Sequence, residues 1–293
     1  MGVIERDEYT GKTTTGHEWN GIKELNSPVP RAVYFFLIVT FLFSLGYWVL
    51  MPAWPLGVTY TKGLLGNDQR EILADSLKEA TLDRATWTQR IEKESYKDIL
   101  ADKTLMRSVR ETGHTLFGDN CAACHGAKAL GNKGFPNLTT TSWLWGGDPE
   151  AIAETIRVGI NSSDPKTRTS QMVAFGRDGV LKPNEVDEVV AYVRSLSDPA
   201  SARGTDEKKL AAGKTLFATN CASCHGDNAT GNTELGAPNL TDKFWIYGGD
   251  LQSVTDTVWG GRQGHMPAWD GRLSPLDRKI LTLYLVDLRN PNQ

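Results

Sequence analysis

The sequence predicts an all-α protein in which one N-terminal transmembrane helix is followed by two tandem helical domains of the same design. Three observations predict it. A run of 20 residues near the N-terminus carries no charge. Two stretches about 100 residues apart are near copies of each other. Each copy holds the pentapeptide Cys-x-x-Cys-His.

The 293 residues leave room for about two domains. A net charge of -3 offers no basic face, so no nucleic-acid partner is expected. The four cysteines fall as two tight pairs, Cys121/Cys124 and Cys221/Cys224, with none left over. Disulfide staples of a small secreted domain would be spread more widely. Pairs two residues apart point instead to redox chemistry, zinc or haem attachment.

From the N-terminus, residues 1–31 form an arm and residues 32–51, AVYFFLIVTFLFSLGYWVLM, form the anchor. About 20 apolar residues cross a bilayer as a helix, because every backbone polar group is then satisfied internally. Tyr47, Trp48 and Trp54 sit at its far end, as an interfacial belt does. Pro52 and Pro55 stop the helix. A buried soluble helix would not run this long without a polar break. A cleaved signal peptide would not carry Glu5, Asp7, Glu8, Glu18 and Glu24 ahead of its core, nor lack a small-residue cleavage site after it. Lys12, Lys23 and Arg31 precede the span, against Lys62 and Arg70 after it, a bias that favours a cytoplasmic N-terminus. Residues 52–104 form a connector. Within it Ile72, Leu73, Leu77 and Ala80 have helical spacing among charges, which predicts short surface helices over 68–105.

The repeat follows. Residues 113–126, GHTLFGDNCAACHG, match residues 213–226, GKTLFATNCASCHG. Pro136-Asn137-Leu138 then matches Pro238-Asn239-Leu240, and Trp143–Asp148 matches Trp245–Asp250. The domains are residues 105–199 and 204–293, joined by the small and polar stretch 197–207. In each, Cys-x-x-Cys-His is the signature of c-type haem attachment. On one helical turn, two cysteines three apart face the same porphyrin edge and form thioethers with its vinyl groups. The next residue, His125 or His225, points at the iron. Thioredoxin-like chemistry would need a βαβ pattern, which is absent. Zinc between the pairs would leave unexplained why a histidine follows each pair inside its own repeat. Two covalently bound haem c groups are therefore expected, one per domain. Such haems are attached outside the bacterial cytoplasmic membrane, which puts the domains in the periplasm.

A second axial ligand is commonly methionine. Met1 is the start, Met51 lies in the anchor and Met106 has core spacing with Val109. That leaves Met172 and Met266, which lie 47 and 41 residues after the haem histidines. Each sits on the loop before a last helix, so each module offers one. His265 is the rival for the second iron, whereas His17 is on the wrong side of the membrane and His114 faces solvent. The carbonyls of Pro136 and Pro238 are candidates to fix the histidine rings. Trp143, Trp145, Arg157, Trp245 and Arg262 are candidates to pack on haem or pair with its propionates, and equally to be core aromatics and solvated arginines.

First helices are predicted near Met106–Asn120 and Asp206–Asn220, and central ones near Glu150–Val158 and Leu251–Trp259. The last helices show apolar faces at Val189, Tyr192, Val193 and Leu196, and at Ile280, Leu283, Tyr284 and Leu288. Ser274, Pro275 and Asp277 start the second of these. Gly113 with Phe117, and Gly213 with Phe217, let the first and last helices cross closely.

Each module resembles a class I cytochrome c domain: Gly-x-x-x-Phe, Cys-x-x-Cys-His, Pro-Asn-Leu, a loop methionine and a last helix carrying tyrosine. One anchor with two such domains resembles the dihaem subunit (subunit III, the P subunit) of cbb3-type cytochrome c oxidase. The arm segment GHEWNGIKELNSPVPR, residues 16–31, resembles that subunit's Trp-Asp-Gly-Ile-x-Glu-x-Asn-x-Pro-x-Pro, with Asn20 where Asp is usual. The resemblance implies a non-catalytic relay in the bacterial inner membrane. It would take electrons from a periplasmic donor cytochrome toward a monohaem cytochrome c subunit and the catalytic haem–copper subunit. A dihaem peroxidase would need an iron with a displaceable ligand. A dehydrogenase's cytochrome subunit would leave the arm unexplained.

Overall fold

The structure is a computed structural model that describes residues 4–289. It divides into two compact units, with the boundary inside one helix at Asp83/Arg84.

In the first unit, strands β1 (Thr14–Trp19) and β2 (Ile22–Leu25) pair antiparallel. The all-α expectation omits this hairpin. Its signal is the dipeptide Asn20-Gly21, whose φ values of 49° and 84° suit a two-residue primed turn. Helix α1 (Arg31–Leu50) is 20 residues long and buries none of them. At 1.5 Å per residue it reaches about 30 Å, the thickness of a bilayer's hydrocarbon core. Its hydroxyls return to its own backbone: Thr40 Oγ1 donates to Phe36 O (2.8 Å) and Ser44 Oγ to Thr40 O (2.9 Å). Neither Thr40 nor Ser44 then needs a partner outside the helix.

Helix α2 (Gln69–Lys93) is one continuous element, followed by α3 (Tyr96–Ala101). The expectation of short helices over 68–105 is thus corrected. No glycine or proline interrupts Gln69–Lys93, and the stretch is rich in Ala, Leu, Glu, Gln, Lys and Arg, the strongest helix formers. Ser95 breaks it by capping α3, its hydroxyl accepting from Asp98 N.

In the second unit the repeats supply helices in the same order. The first copy gives α4 (Lys103–Asn120), α5 (Ala122–His125), α6 (Pro149–Val158) and α7 (Pro183–Ser197). The second gives α8 (Glu207–Asn220), α9 (Ala222–His225), α10 (Leu251–Gly260) and α11 (Pro275–Arg289).

Both expected helix crossings form, but with exchanged partners. Helix α4 packs on α11, the last helix of the other repeat, and α8 packs on α7. A Cβ on Gly113 would lie 2.6 Å from Tyr284 Cβ, and one on Gly213 would overlap the Glu188 carbonyl. Phe117 meets the Tyr284 ring at 6.0 Å, and Phe217 meets Tyr192 at 5.6 Å. Helix α6 likewise packs on α11 and α10 on α7. Each of the two cores therefore draws on both repeats. The first holds Val109, Phe117, Ile152, Ile280, Leu283 and Tyr284. The second holds Val186, Val189, Val193, Phe217 and Val254.

Connectivity explains the exchange. A short link, residues 198–206, joins α7 to α8 and keeps these sequence neighbours together in space. The chain must then cross between the bodies after α6 and return after α10. The two crossings pair with each other. Ile160 and Met266 exchange backbone hydrogen bonds of 2.9 Å, and Met172 and Arg262 exchange bonds of 2.8 and 3.2 Å. Gly159 (φ 70°, ψ -170°) and Gly261 (φ 67°, ψ 179°) open the crossings in a region of backbone space that is essentially glycine-only. A Cβ on either would strike the carbonyl of Met266 or Met172.

Candidate functional site

Each Cys-x-x-Cys-His segment is a single helical turn after a long helix. Cys121 ends α4 and His125 ends α5; Cys221 and His225 do the same for α8 and α9. All four thiols are free, with Cys124 and Cys224 exposed and Cys121 and Cys221 half-buried. Burial, helped by the neighbouring Cys124 or Cys224, pushes the Cys121 and Cys221 thiols up to about 11. A Cys-x-x-Cys redox catalyst needs the opposite, a lowered value. Among the described residues no cluster of three or more His, Cys, Asp or Glu is poised for a bare metal ion.

The histidines are set for one task. His125 Nδ1 lies 3.0 Å from Pro136 O, and His225 Nδ1 lies 2.9 Å from Pro238 O. Burial lowers the affinity of both rings for a second proton, against the raising effect of the proline carbonyl. Because the carbonyl can only accept, Nδ1 donates, which leaves Nε2 for a metal. The proline loop is itself anchored. Gly131 N donates to His125 O and Leu138 N to Ala129 O, with Gly231 and Leu240 repeating the pattern.

The methionines follow the exchange. Met266 packs on the core that holds Phe117 and that Cys121, Ala122 and Leu138 also border, in the body of His125. Met172 packs on the core that holds Phe217 and that Cys221, Ala222 and Leu240 also border, in the body of His225. Each therefore borders the same core as the attachment turn of the other repeat rather than its own. His265 is exposed, and its Nδ1 lies 2.9 Å from Asn161 O, away from this packing. Met106 is core and His114 is exposed.

The other singled-out residues divide. Trp143 donates Nε1 to Thr140 O (2.8 Å) and packs in the first core, while Trp245 packs on the second. Arg157 is engaged by Glu154 at 2.7 Å and lies near Asp270. Arg262 stacks over Tyr247 at 4.5 Å and donates Nε to Thr257 Oγ1 (3.0 Å). Trp145 is buried beneath Arg168, whose guanidinium carbon is 5.0 Å from the ring centroid. Sequence reasoning missed Arg168. The available signal was spacing: an arginine stands four residues before each loop methionine, Arg168 before Met172 and Arg262 before Met266. Half-buried thiols on one turn, a neutral imidazole with Nε2 to spare and a soft thioether close by suit covalent haem c.

Family models match along most of the chain. The model for the N-terminal domain of the cbb3 cytochrome oxidase protein FixP matches residues 11–58, and the cytochrome c model matches residues 110–197. The model for cbb3-type cytochrome c oxidase subunit III matches residues 208–285. The chain is 48% identical over 284 residues to the cbb3-type oxidase subunit FixP of Bradyrhizobium sp., covering 97% of each. It is 46% identical to FixP of Bradyrhizobium diazoefficiens, again over 97% of each chain. With the cbb3-type oxidase subunit CcoP of Azospirillum sp. it shares 44% identity, covering 98% of this chain and 99% of that one. None of these matches points to a peroxidase or a dehydrogenase subunit.

Proposed function

We propose a working mechanism from a plain premise: the chain belongs to the cbb3-type cytochrome c oxidase subunit III family, the membrane-anchored electron-transfer subunit that binds haem c and serves the oxidase complex without being its catalytic subunit. Two haems are carried, one thioether-linked through Cys121 and Cys124, the other through Cys221 and Cys224. His125 with Met266, and His225 with Met172, would hold the two irons. When bound, each haem would supply a one-electron ferric/ferrous couple.

The observation that carries this reading is that each loop methionine packs on the same core as the attachment turn of the opposite repeat. The chain's residues then divide the work. The Pro136 and Pro238 carbonyls fix the imidazole rings, and the thioethers favour the ferrous state and raise the potential. The paired crossings tie both methionine loops to each other's strands through backbone hydrogen bonds. Both attachment turns belong to one chain with interlocked cores, so transfer between the haems would need no diffusional encounter.

The N-terminus is cytoplasmic and the haem-bearing part periplasmic, in the inner membrane. Lys12, Lys23 and Arg31 before α1 support this orientation. Electrons enter from a periplasmic cytochrome and leave toward a monohaem cytochrome c subunit and the haem–copper subunit. Tethering replaces a diffusional step with a local one. The complex purified from native membranes tests this directly. Two covalent haem c per chain, with copper and b-type haem in the same particle, are expected. A single covalent haem per chain, or a quinoprotein or flavoprotein in place of copper, contradicts it.

A further inference from the structure

We propose that the hairpin at residues 54–61 is a second membrane contact: it lies in the lipid headgroup layer at the C-terminal end of α1, with Leu56 and Val58 set into the acyl boundary. This rests on α1 as the membrane span. Residues 32–61 contain no Asp, Glu, Lys or Arg, and the first charge after Arg31 is Lys62. Helix α1 ends at Leu50, and its 20 residues already suffice to cross the hydrocarbon core. The charge-free stretch therefore continues past the span, over residues 51–61. A loop bathed in water gains nothing from that composition.

The stretch is folded. Pro55 and Tyr60 pair across it, Leu56 N donates to Thr59 O (2.7 Å), and Thr61 N donates to Trp54 O (2.9 Å). Trp54 N donates in turn to Thr61 Oγ1 (3.0 Å). Gly57 makes the tip with a φ of 86°, which glycine adopts without strain. Both ends are fixed to the last turn of α1. The Trp54 ring meets Trp48 edge-on, with centroids 4.9 Å apart. On the return, Leu64 N donates to Val49 O and Leu65 N to Leu50 O, each at 3.0 Å. These bonds satisfy carbonyls that the helix end would otherwise leave open. A Cβ on Gly63 would strike Leu50 O, so the chain comes back directly onto the helix. The hairpin thus leaves and rejoins the anchor where the span meets the headgroups. Its strands pair internally, so lipid would strand few backbone groups.

The side chains identify the occupant. At the tip, Leu56 is exposed and Val58 completely so. At the flanks stand Trp54 and Tyr60, the two residue types enriched at bilayer interfaces, each an apolar body with a polar end. The Tyr60 hydroxyl donates to the Asp68 carboxylate, and Lys62 pairs with Glu71 at 3.0 Å. Charge therefore begins only behind the aromatic pair. Leu64 and Leu65 are exposed as well, which enlarges the apolar surface. That surface is continuous with α1, which buries none of its residues in the protein. The hairpin carries no charge with which to select a soluble partner, so the lipid already surrounding α1 covers it. A second contact of this kind limits the tilt and rotation of a single anchor.

The test places a photoreactive benzophenone amino acid at Val58 of the full chain. The oxidase complex is irradiated in native membranes, and adducts are read by mass spectrometry. The same group at Leu37, Ile38, Val39 and Thr40 in turn, about 100° apart round α1, is the control. A phospholipid adduct at Val58 is expected. An adduct to another polypeptide, or no adduct where a position on α1 gives lipid, overturns the proposal. No lipid adduct at any of the four α1 positions would instead sink the membrane span on which it rests. A second measurement reads the driving force. With the photoreactive group at Leu56, Val58→Asp should lower the lipid adduct roughly tenfold, whereas Val58→Ile leaves it unchanged. Equal yields in the two variants overturn insertion of the tip. Val58 is fully exposed, so neither variant disturbs the fold.

Discussion

Around His125, helices α4 and α11 cross at Gly113 and the core continues outward into the connector, where Ile91 and Ile99 are fully buried within it. Trp87, Tyr96 and Leu100 pack on the same cluster. Lys279 of α11 donates to Glu94 O (2.7 Å) and lies over the Tyr96 ring at 5.4 Å. Around His225, helices α8 and α7 cross at Gly213 in the same manner, but the described core there stops at residues of α7 to α10 and their loops. Two copies of one design have thus been given different surroundings. The inner half, attachment turn and proline loop, repeats closely. The outer half differs, because only the first body is braced by the segment that leads to the anchor. Local geometry is copied with the sequence, whereas stability and environment depend on what connectivity places alongside.

The largest test of this comparison is removal of a crossing aromatic. Phe117→Ala and Phe217→Ala should each cost about 3–5 kcal/mol, since both rings are fully buried at a helix crossing. Because each core draws on both repeats, calorimetry should show one coupled transition falling in either variant. Two separable transitions, only one of them moved, would break the interlocked picture. Next is the brace. Ile99→Ala should cost about 2–5 kcal/mol and should raise hydrogen exchange first in α4 and α11 rather than in α7 and α8. Equal loosening of both pairs would remove the distinction between the bodies.

Smaller effects follow. Gly159→Ala places a Cβ in glycine-only backbone space against the Met266 carbonyl and should cost about 1–3 kcal/mol. The visible sign should be weakened methionine ligation at the haem on Cys121 and Cys124. Arg110 and Asp287 form a bidentate pair at 2.8 and 2.7 Å across α4 and α11, with Arg110 nearly half exposed. Double-mutant coupling there should be no more than about 1 kcal/mol, yet any coupling at all requires the exchanged partners.

The smallest effect is a pH dependence. The Leu105 backbone N–H, then Arg90, holds the Asp102 carboxyl below its ordinary value of 3.8. The α4 cap is thus fully present above that value and fades as pH falls through the lower folded one. Acid unfolding curves of Asp102→Asn should lose that component.

The geometry of the candidate site, attachment turn and proline loop, was legible in the chain because one helical turn and short loops leave local signatures. Cys121, Cys124 and His125 must share one turn, and Pro136 must return to the imidazole within a short loop. The anchor was legible because a bilayer demands one length and one composition. Neither the hairpin at Asn20-Gly21 nor the 25-residue α2 was foreseen. Turn chemistry and the lack of breakers carried those signals, and apolar periodicity did not. The exchange of partners was beyond reach of any single-repeat reading. Gly113 would fit Tyr192 or Tyr284 equally, since both last helices carry the same pattern. Only the short link between α7 and α8 discriminates, and its effect is three-dimensional. Arg168 was missed because its repeat mate, Arg262, aligns by distance to methionine rather than by the main offset.

Crossed pairing of methionine and haem is best probed in a chain that carries a single haem. Cys221→Ala with Cys224→Ala removes the second attachment site, and Met266→Ala is then added. The account predicts that the one remaining haem, on Cys121 and Cys124, loses its methionine ligation and drops in potential, while Met172→Ala in the same background leaves it unchanged. The reverse outcome, Met172 mattering and Met266 silent, would contradict it.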